Sequence, residues 1–218
     1  MNASLRPLLP PGPYLLCDDT VRPDIPLVSK AERLLAGGAR VVQLRMKRTP
    51  VRVALEVARE VVQLCRRAGA VCLLNDRVDL ALLSDAHGVH VGDEDVPPEA
   101  ARALLGPGRL VGVTVRGVEG AVAAREMGAD YVGVGPVFGT TTKQVPAPVL
   151  GLEGLARVVK GSPLPVVGIG GVGLDNIARV AAVGVHGAAV VSDALLAEDI
   201  AGRVRLLASA FEQGRVGG

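Results

Sequence analysis

Hydrophobic positions in this chain follow two alternating patterns. Four-residue, mainly aliphatic runs recur at Tyr14–Cys17, Val41–Leu44, Val71–Leu74, Gly88–Val91, Leu110–Val113, Tyr131–Val134, Pro165–Gly168 and Ala188–Val191. Runs this short, bounded by glycine and polar residues, predict strands. Between them lie stretches with helical spacing, clearest at Val51–Arg67, Val118–Met127 and Asn176–Val183. In the first of these, Val53, Val57, Val61 and Leu64 form the apolar stripe, and Arg52, Glu56, Arg59, Glu60 and Arg66 lie elsewhere. Gly69, Gly128 and Gly184 each follow a helical pattern and precede a strand, as helix-terminating glycines do.

Strict βα alternation implies a parallel sheet with helices outside it. Eight units in 218 residues fit an α/β fold, a single compact (β/α)8 TIM barrel, somewhat below the usual ~250 residues. An open doubly wound sheet is the runner-up. No low-complexity linker divides the sequence. Residues 1–218 therefore read as one domain, with 1–13 an N-terminal arm and 214–218 a frayed tail.

Composition narrows the function. Hydrophobic residues make up 49% of the chain, but there are only two Tyr, two Phe and no Trp, against 28 Gly. Four rings cannot build a base-stacking platform, so recognition falls to charges, hydroxyls and backbone amides. The net charge is +2 and neither sign is blocked, which argues against a nucleic-acid partner. The longest stretch free of formal charge, Gly161–Leu174, is too short for a membrane span, and the N-terminus shows no signal core. Cys17, Cys65 and Cys72 lie in apolar runs without zinc spacing, which predicts buried free thiols and a reducing, cytoplasmic setting.

In a barrel the active site lies at the C-terminal strand ends. After the second strand, Gln43, Arg45 and Lys47 share one face by alternation. If that face is the barrel mouth, a bound anion would balance the two cations; otherwise they begin a solvated loop. Asp76 after the third strand and Asp95 after the fourth could together hold Mg²⁺. The alternatives are an N-cap at Asp76 and a polar turn around Asp93–Asp95 before Pro97-Pro98. Thr114 and Arg116 alternate after the fifth strand. Thr140, Thr141, Thr142 and Lys143 lie in a Gly-rich loop after the sixth, readable as an oxyanion cradle or a surface loop. Gly168 to Gly173 feed a helix, and Val190 to Asp193 follow the eighth strand. Loops after strands seven and eight often hold phosphate in barrels. His87, His90 and His186 read as structural, and no nucleophile elbow or triad is legible. Together these features suggest a transferase joining two phosphorylated small molecules.

The residues also resemble a known family. Gln43-Leu44-Arg45-Met46-Lys47, Leu74 to Ala81, Gly88-Val89-His90-Val91-Gly92, Glu94-Asp95, Gly112-Val113-Thr114, Ala129 to Phe138, Thr140 to Lys143, Gly151-Leu152-Glu153 and Gly168-Ile169-Gly170-Gly171 stand in the order seen in thiamine-phosphate synthases, with several motifs shared by the related thiazole tautomerases. The resemblance implies a (β/α)8 barrel. It further implies Mg²⁺-dependent coupling of 4-amino-5-hydroxymethyl-2-methylpyrimidine diphosphate with 4-methyl-5-(2-phosphoethyl)thiazole, through a dissociative, carbocation-like step. Asp76 and Asp95 would hold Mg²⁺. Gln43, Leu44, Arg45, Met46, Lys47, Asn75, Thr114 and Lys143 would hold the pyrimidine diphosphate, and Arg45, Lys47, Lys143 and Thr114 would act in catalysis. Thr140, Thr141, Thr142, Gly171, Val191 and Ser192 would hold the thiazole phosphate. Self-association is left open.

Three positions depart from the family pattern: Met46 stands for Glu, Asp93 for Gln, and Arg116 for His. The last removes the residue the resemblance would make the tautomerase acid/base. A tautomerase and a non-catalytic phosphate-binding barrel are the competing readings. With so few rings, aliphatic walls, Gln43 and Tyr14 or Phe138 are the expected contacts for the heterocycles.

Overall fold

The computed structural model describes residues 8–139 and 148–217. Its elements alternate throughout: β1 (Gly12–Asp18), α1 (Leu27–Ala36), β2 (Val41–Arg45), α2 (Val51–Arg67), β3 (Val71–Asn75), α3 (Val78–Leu83), β4 (Gly88–Val91), α4 (Pro98–Leu105), β5 (Leu110–Val115), α5 (Val118–Glu126), β6 (Tyr131–Val134), α6 (Gly151–Gly161), β7 (Val166–Ile169), α7 (Ile177–Ala182), β8 (Gly187–Val190), α8 (Ser192–Leu195) and α9 (Ile200–Gly217). The strands close as β1 through β8 in sequence order, every pair is parallel, and β8 returns to β1 through Gly12↔Gly187 and Tyr14↔Ala189. This is the expected (β/α)8 barrel, and each predicted strand is present within two residues at either end.

Alternation along each strand sorts the side chains into two layers. Outward residues such as Leu15, Cys17, Val42, Leu44, Cys72, Leu74, Val89 and Val91 pack against the helices in one continuous buried layer. Inward residues, among them Tyr14, Leu16, Val41, Val71, Leu73, Leu110, Tyr131, Val167 and Ala189, form a separate cluster inside the barrel. Leu9, in the arm before β1, joins that inner cluster, and its carbonyl accepts a hydrogen bond from His186 Nε2 at 2.7 Å. The arm thus covers the N-terminal end of the barrel.

The helices sit where the polar pattern places them, with one correction. On α2 the buried face is Ala54, Ala58, Val61, Val62 and Cys65, whereas Val53 is 46% exposed and Val57 and Leu64 are half-buried. Ala54 and Ala58 let this face lie close to the outward Val and Leu of the strands, Val61 and Val62 complete it, and Val53 is turned to the flank. Pro26, Pro50 and Pro97, with φ near −55°, precede α1, α2 and α4 and set the chain's entry into each helix. Gly69, Gly128 and Gly184 adopt positive φ after α2, α5 and α7, as expected. Where a frayed tail is expected, α9 stays helical through Gly217, and Gly214 lies close against the Ala178 carbonyl. The three thiols are free and buried, and burial pushes the Cys17 thiol up to about 12.

Glycines on the strands make room for the few rings. A Cβ on Gly112 would run into the Tyr131 phenol, and one on Gly133 would come within 3.0 Å of the His90 ring. Gly112→Ala is therefore expected to cost about 1–3 kcal/mol by overpacking, read as a lower urea midpoint at unchanged m-value. An unchanged midpoint would show that the Tyr131 ring can move aside freely.

Candidate active site

The C-terminal strand ends open into a cavity of about 1020 Å³, at the upper end of the ~300–1,000 Å³ range of small-molecule sites. Its walls divide by chemistry. Most of the charged side chains come from β1 to β4, joined by Arg116 after β5 and by Asp175 and Asp193 after β7 and β8; a hydrogen-bonded ring system forms the interior, and glycine-rich backbone comes from β6 and β7.

The cations are already paired, and the predicted need for a bound anion to balance them is met by the protein. Arg45 Nη1 bonds Asp18 Oδ2 at 2.6 Å, with the Asp18 side chain wholly buried and Arg45 14% exposed. Thr20 donates its backbone N–H and its hydroxyl to the other Asp18 oxygen, at 2.6 and 2.5 Å. Lys30, also buried, donates to the carbonyls of Asp18 and Val21, at 2.9 and 2.6 Å, and anchors this turn. Next door, Asp19 accepts backbone N–H bonds from Lys47, Arg48 and Thr49. Burial alone would raise the Asp19 carboxyl, but these bonds outweigh it and hold it below its ordinary value. The result is a rigid β1–β2 corner with the Arg45 guanidinium fixed in direction. Asp18 shares inward parity with Tyr14 and Leu16, a signal legible in the sequence that a reading begun at the second strand misses.

Asp76 is not the helix cap that its position also allows. Arg77 occupies the N-cap of α3 and makes no side-chain capping bond. Asp76 instead adopts φ 64°, an unusual backbone for a non-glycine residue and one that clusters at functional sites. Its carboxylate pairs with Lys47 Nζ and hydrogen-bonds the Asp95 carboxyl. Asp95 Oδ2 also accepts the Gly92 N–H at 2.8 Å, so the polar-turn reading of this segment holds at the same time. Burial, then the Asp76 hydrogen bond and charge, raise the Asp95 carboxyl above its ordinary value. Two carboxylates this close need a shared proton or a cation between them. Among the described residues no group of three or more His, Cys, Asp or Glu side chains gathers as a metal cage. A divalent cation held there would take two carboxylates from this pair and would need water or ligand oxygens to complete its coordination. The two departures Asp93 and Arg116 face each other across the mouth at 3.5 Å.

Deeper in, four hydrogen bonds link five side chains from five strands. Gln43 Nε2 donates to the Tyr14 hydroxyl at 3.0 Å, and Tyr14 and Tyr131 share a hydroxyl bond of 2.8 Å. Tyr131 meets His90 Nδ1 at 3.0 Å, and His90 Nε2 meets Thr114 Oγ1 at 3.0 Å. His90 therefore lines the site, where the sequence reading made it structural. His87 and His186 do bond backbone partners, Cys72 N–H and the Leu9 carbonyl. Tyr14 is at the cavity as expected, but the second ring there is Tyr131, while Phe138 packs against the outer layer.

On the far wall, Gly170 (φ 100°) and Gly171 (φ 64°) let the β6 and β7 loops touch. A Cβ at Gly170 would lie 2.7 Å from Pro136, and one at Gly171 would overlap the Gly139 carbonyl. Asn176 ties the turn, accepting the Gly173 N–H at 3.0 Å and donating to the Gly171 carbonyl at 2.9 Å. Gly171, Val191 and Ser192 line the cavity with Gln43, Arg45, Lys47, Asn75, Asp76, Asp95 and Thr114. The structure thus brings ten of the sequence-derived site residues to one opening. Leu44 and Met46 do not line it: Leu44 is fully buried in the outer layer and Met46 packs on that layer. Thr140, Thr141, Thr142 and Lys143 lie outside the described residues.

Comparison with known proteins supplies a family for this barrel. Residues 13–194 match the model of the TMP-TENI family, thiamine monophosphate synthase. The chain is 76% identical over 217 residues to a thiamine-phosphate synthase of Myxococcus xanthus (strain DK1622), covering 100% of both chains. It is 47% identical to one of Anaeromyxobacter dehalogenans (strain 2CP-C), covering 86% of this chain and 84% of that protein. A solved thiamine phosphate pyrophosphorylase from Pyrococcus furiosus superposes with a TM-score of 0.85 at 38% identity, covering 93% of this chain and 96% of that one.

Two outcomes are expected from the charge arrangement. Arg45→Ala leaves the buried Asp18 carboxylate unpaired and should destabilise the fold by about 3–5 kcal/mol. Lys47→Ala, at a half-exposed pair, should change it by less than about 1 kcal/mol; urea unfolding of both variants checks this. For Asp95, the raised carboxyl means the folded state holds its proton more tightly than the unfolded state. Stability is therefore lost as pH rises from the ordinary aspartate value of about 4 through the raised value. In chelator-containing buffer, Asp95→Asn should melt above the parent protein at neutral pH, with the gap closing below about pH 4. A gap independent of pH would contradict the carboxyl pairing.

Proposed function

Because the chain belongs to the thiamine monophosphate synthase family and is a transferase of the thiamine-phosphate synthase type, we propose that its cavity couples a pyrimidine diphosphate to a thiazole phosphate. The substrates are 4-amino-5-hydroxymethyl-2-methylpyrimidine diphosphate and 4-methyl-5-(2-phosphoethyl)thiazole, and the products are thiamine monophosphate and pyrophosphate. The observation that carries this reading is one cavity that holds paired cations and carboxylates at the ends of β1 to β4 and glycine-rich backbone, beside Asp175 and Asp193, at the ends of β6 and β7. The first suits a diphosphate with a divalent ion, and the second suits a monophosphate.

The aminopyrimidine sits on Gln43, whose amide is held by Tyr14. Its carbonyl accepts from the ring amine and its remaining N–H donates to a ring nitrogen. The diphosphate extends toward Arg45, Lys47, Asn75 and Thr114. Asp76 and Asp95 would hold Mg²⁺, which would supply electrostatic stabilisation of the negative charge that builds on the leaving group. Arg45, fixed in direction by Asp18, adds a preorganised donor to that charge and needs no reorganisation as it develops. The bond between the pyrimidine methylene and the bridging oxygen breaks with its electron pair leaving on diphosphate. The thiazole nitrogen then gives its lone pair to the methylene cation. Gly171, Val191 and Ser192 hold the thiazole phosphate so that this nitrogen faces the cation, which makes the second step a matter of positioning. Val167, Ile169 and Ala189 give that region an aliphatic wall, which keeps water from the cation. No protein base is needed, and Lys143 serves as a further diphosphate contact. The free buried thiols suit a cytoplasmic setting. Among the described residues, no helix is long and apolar enough to cross a membrane.

The test is incubation of the purified protein with both substrates, with and without Mg²⁺. Thiamine monophosphate and pyrophosphate should form in equal amounts only with the metal. Mg²⁺ alone should raise the melting temperature of the parent protein and leave that of Asp76→Asn unchanged, and the variant should lose turnover. Product without any divalent ion, or an Mg²⁺ response retained in Asp76→Asn, would overturn the metal assignment.

A further inference from the structure

The hydrogen-bonded chain Gln43–Tyr14–Tyr131–His90–Thr114 has a direction, and the direction follows from counting hydrogens. Each bond needs one hydrogen and each phenol owns one. Gln43 Nε2–H supplies the first bond. Tyr14 is buried and, among the described residues, its hydrogen-bond partners are Gln43 and Tyr131. Its own hydrogen must go to Tyr131, since leaving a buried hydroxyl hydrogen unpaired costs the full desolvation penalty. Tyr131 then holds a lone pair toward Tyr14 and its hydrogen toward His90 Nδ1. A ring nitrogen that accepts carries no proton, so His90 is neutral with its hydrogen on Nε2. That hydrogen goes to Thr114 Oγ1.

We infer that His90 is a positioning residue, locked by Tyr131 as the Nε2–H tautomer, whose hydrogen bond occupies a Thr114 lone pair and turns the Thr114 hydroxyl hydrogen into the cavity as a donor. The tautomer decides the sign of the contact. With hydrogen on Nδ1 instead, Thr114 would donate to His90 and present lone pairs to whatever lies in the cavity. Under the reading given above, on which the catalytic part of this inference rests, that ligand is the departing diphosphate, and only the donor orientation attracts it. Gly112 and Gly133 serve the same arrangement. One clears space for the Tyr131 phenol and the other for the His90 ring, and the register places His90 beside Gly112 and Thr114 beside Gly133.

Two measurements test this. In nitrogen-15 NMR of the ligand-free protein, the signals lost in His90→Gln should show the neutral Nε2–H pattern, and Tyr131→Phe should weaken that preference. An Nδ1–H pattern, or no response to Tyr131→Phe, overturns the inference whether or not the coupling reaction is observed. In steady-state kinetics with both substrates, His90→Phe and Thr114→Val should each lower kcat about tenfold, the scale of one hydrogen bond made in the transition state, while KM moves less than about threefold. The double variant should be no slower than the slower single one, and His90→Gln, which can still donate to Thr114, should recover most of the rate. Multiplicative losses, a change confined to KM, or a His90→Gln variant as slow as His90→Phe would overturn it. A parent protein that makes no thiamine monophosphate defeats the functional reading instead and leaves the tautomer to the NMR result.

Discussion

Closing eight parallel strands on themselves forces every second residue into an interior with no solvent, and this constraint governs the molecule. It makes the outward residues a continuous aliphatic layer for the helices, and it obliges every polar group turned inward to find a partner. At the N-terminal end Leu9, Val41, Val71 and Leu110 meet that demand with hydrocarbon. Toward the other end Gln43, Tyr14, Tyr131, His90 and Thr114 meet it with one another. The low aromatic content belongs to the same constraint: the Tyr131 phenol and the His90 ring each fit the interior only because Gly112 and Gly133 leave them room.

The charged rim follows a different logic. Asp18 and Asp76 each accompany a cation, yet the two pairs differ in burial. Asp18 is wholly enclosed and its pairing with Arg45 is part of the fold, whereas Lys47 and Asp76 meet where solvent reaches. A multiply charged ligand can exchange partners at the second pair at little energetic cost, while the first keeps its geometry. The Asp93–Arg116 pair, both members half-exposed, belongs with the second kind. Fixed direction on one side and exchangeable partners on the other are what a site needs if it must grip an anion and then release it.

Much of this was legible in the sequence. Short aliphatic runs separated by helical spacing mark the strands and their order, and the parity of Gln43, Arg45 and Lys47 puts them on one face, leaving open whether that face is the mouth or a solvated loop. What was hidden depended on distance across the barrel. Asp18 shows the same parity as Tyr14, but that Arg45 is its partner depends on the pairing of β1 with β2. His90 lies between two glycines in a four-residue strand, and only closure brings Tyr131 and Thr114 to its two nitrogens. On α2 the expected stripe keeps Val61 but is rotated toward Ala54 and Ala58, which hydrophobicity alone ranks below Val53 and Val57.

The arm before β1 has a consequence for traffic through the site. With Leu9 seated in the inner cluster and its carbonyl tied to His186, the barrel is stoppered at one end, so everything that reaches the interior passes the same mouth. Gln43 and Tyr14 lie at the bottom of that path, nearly closed to solvent, and Gly171 lies at its exposed rim. A molecule bound at the rim therefore sits on the way out of a molecule bound at the bottom. A site at the bottom of a vessel with a single neck is reached only past the rim.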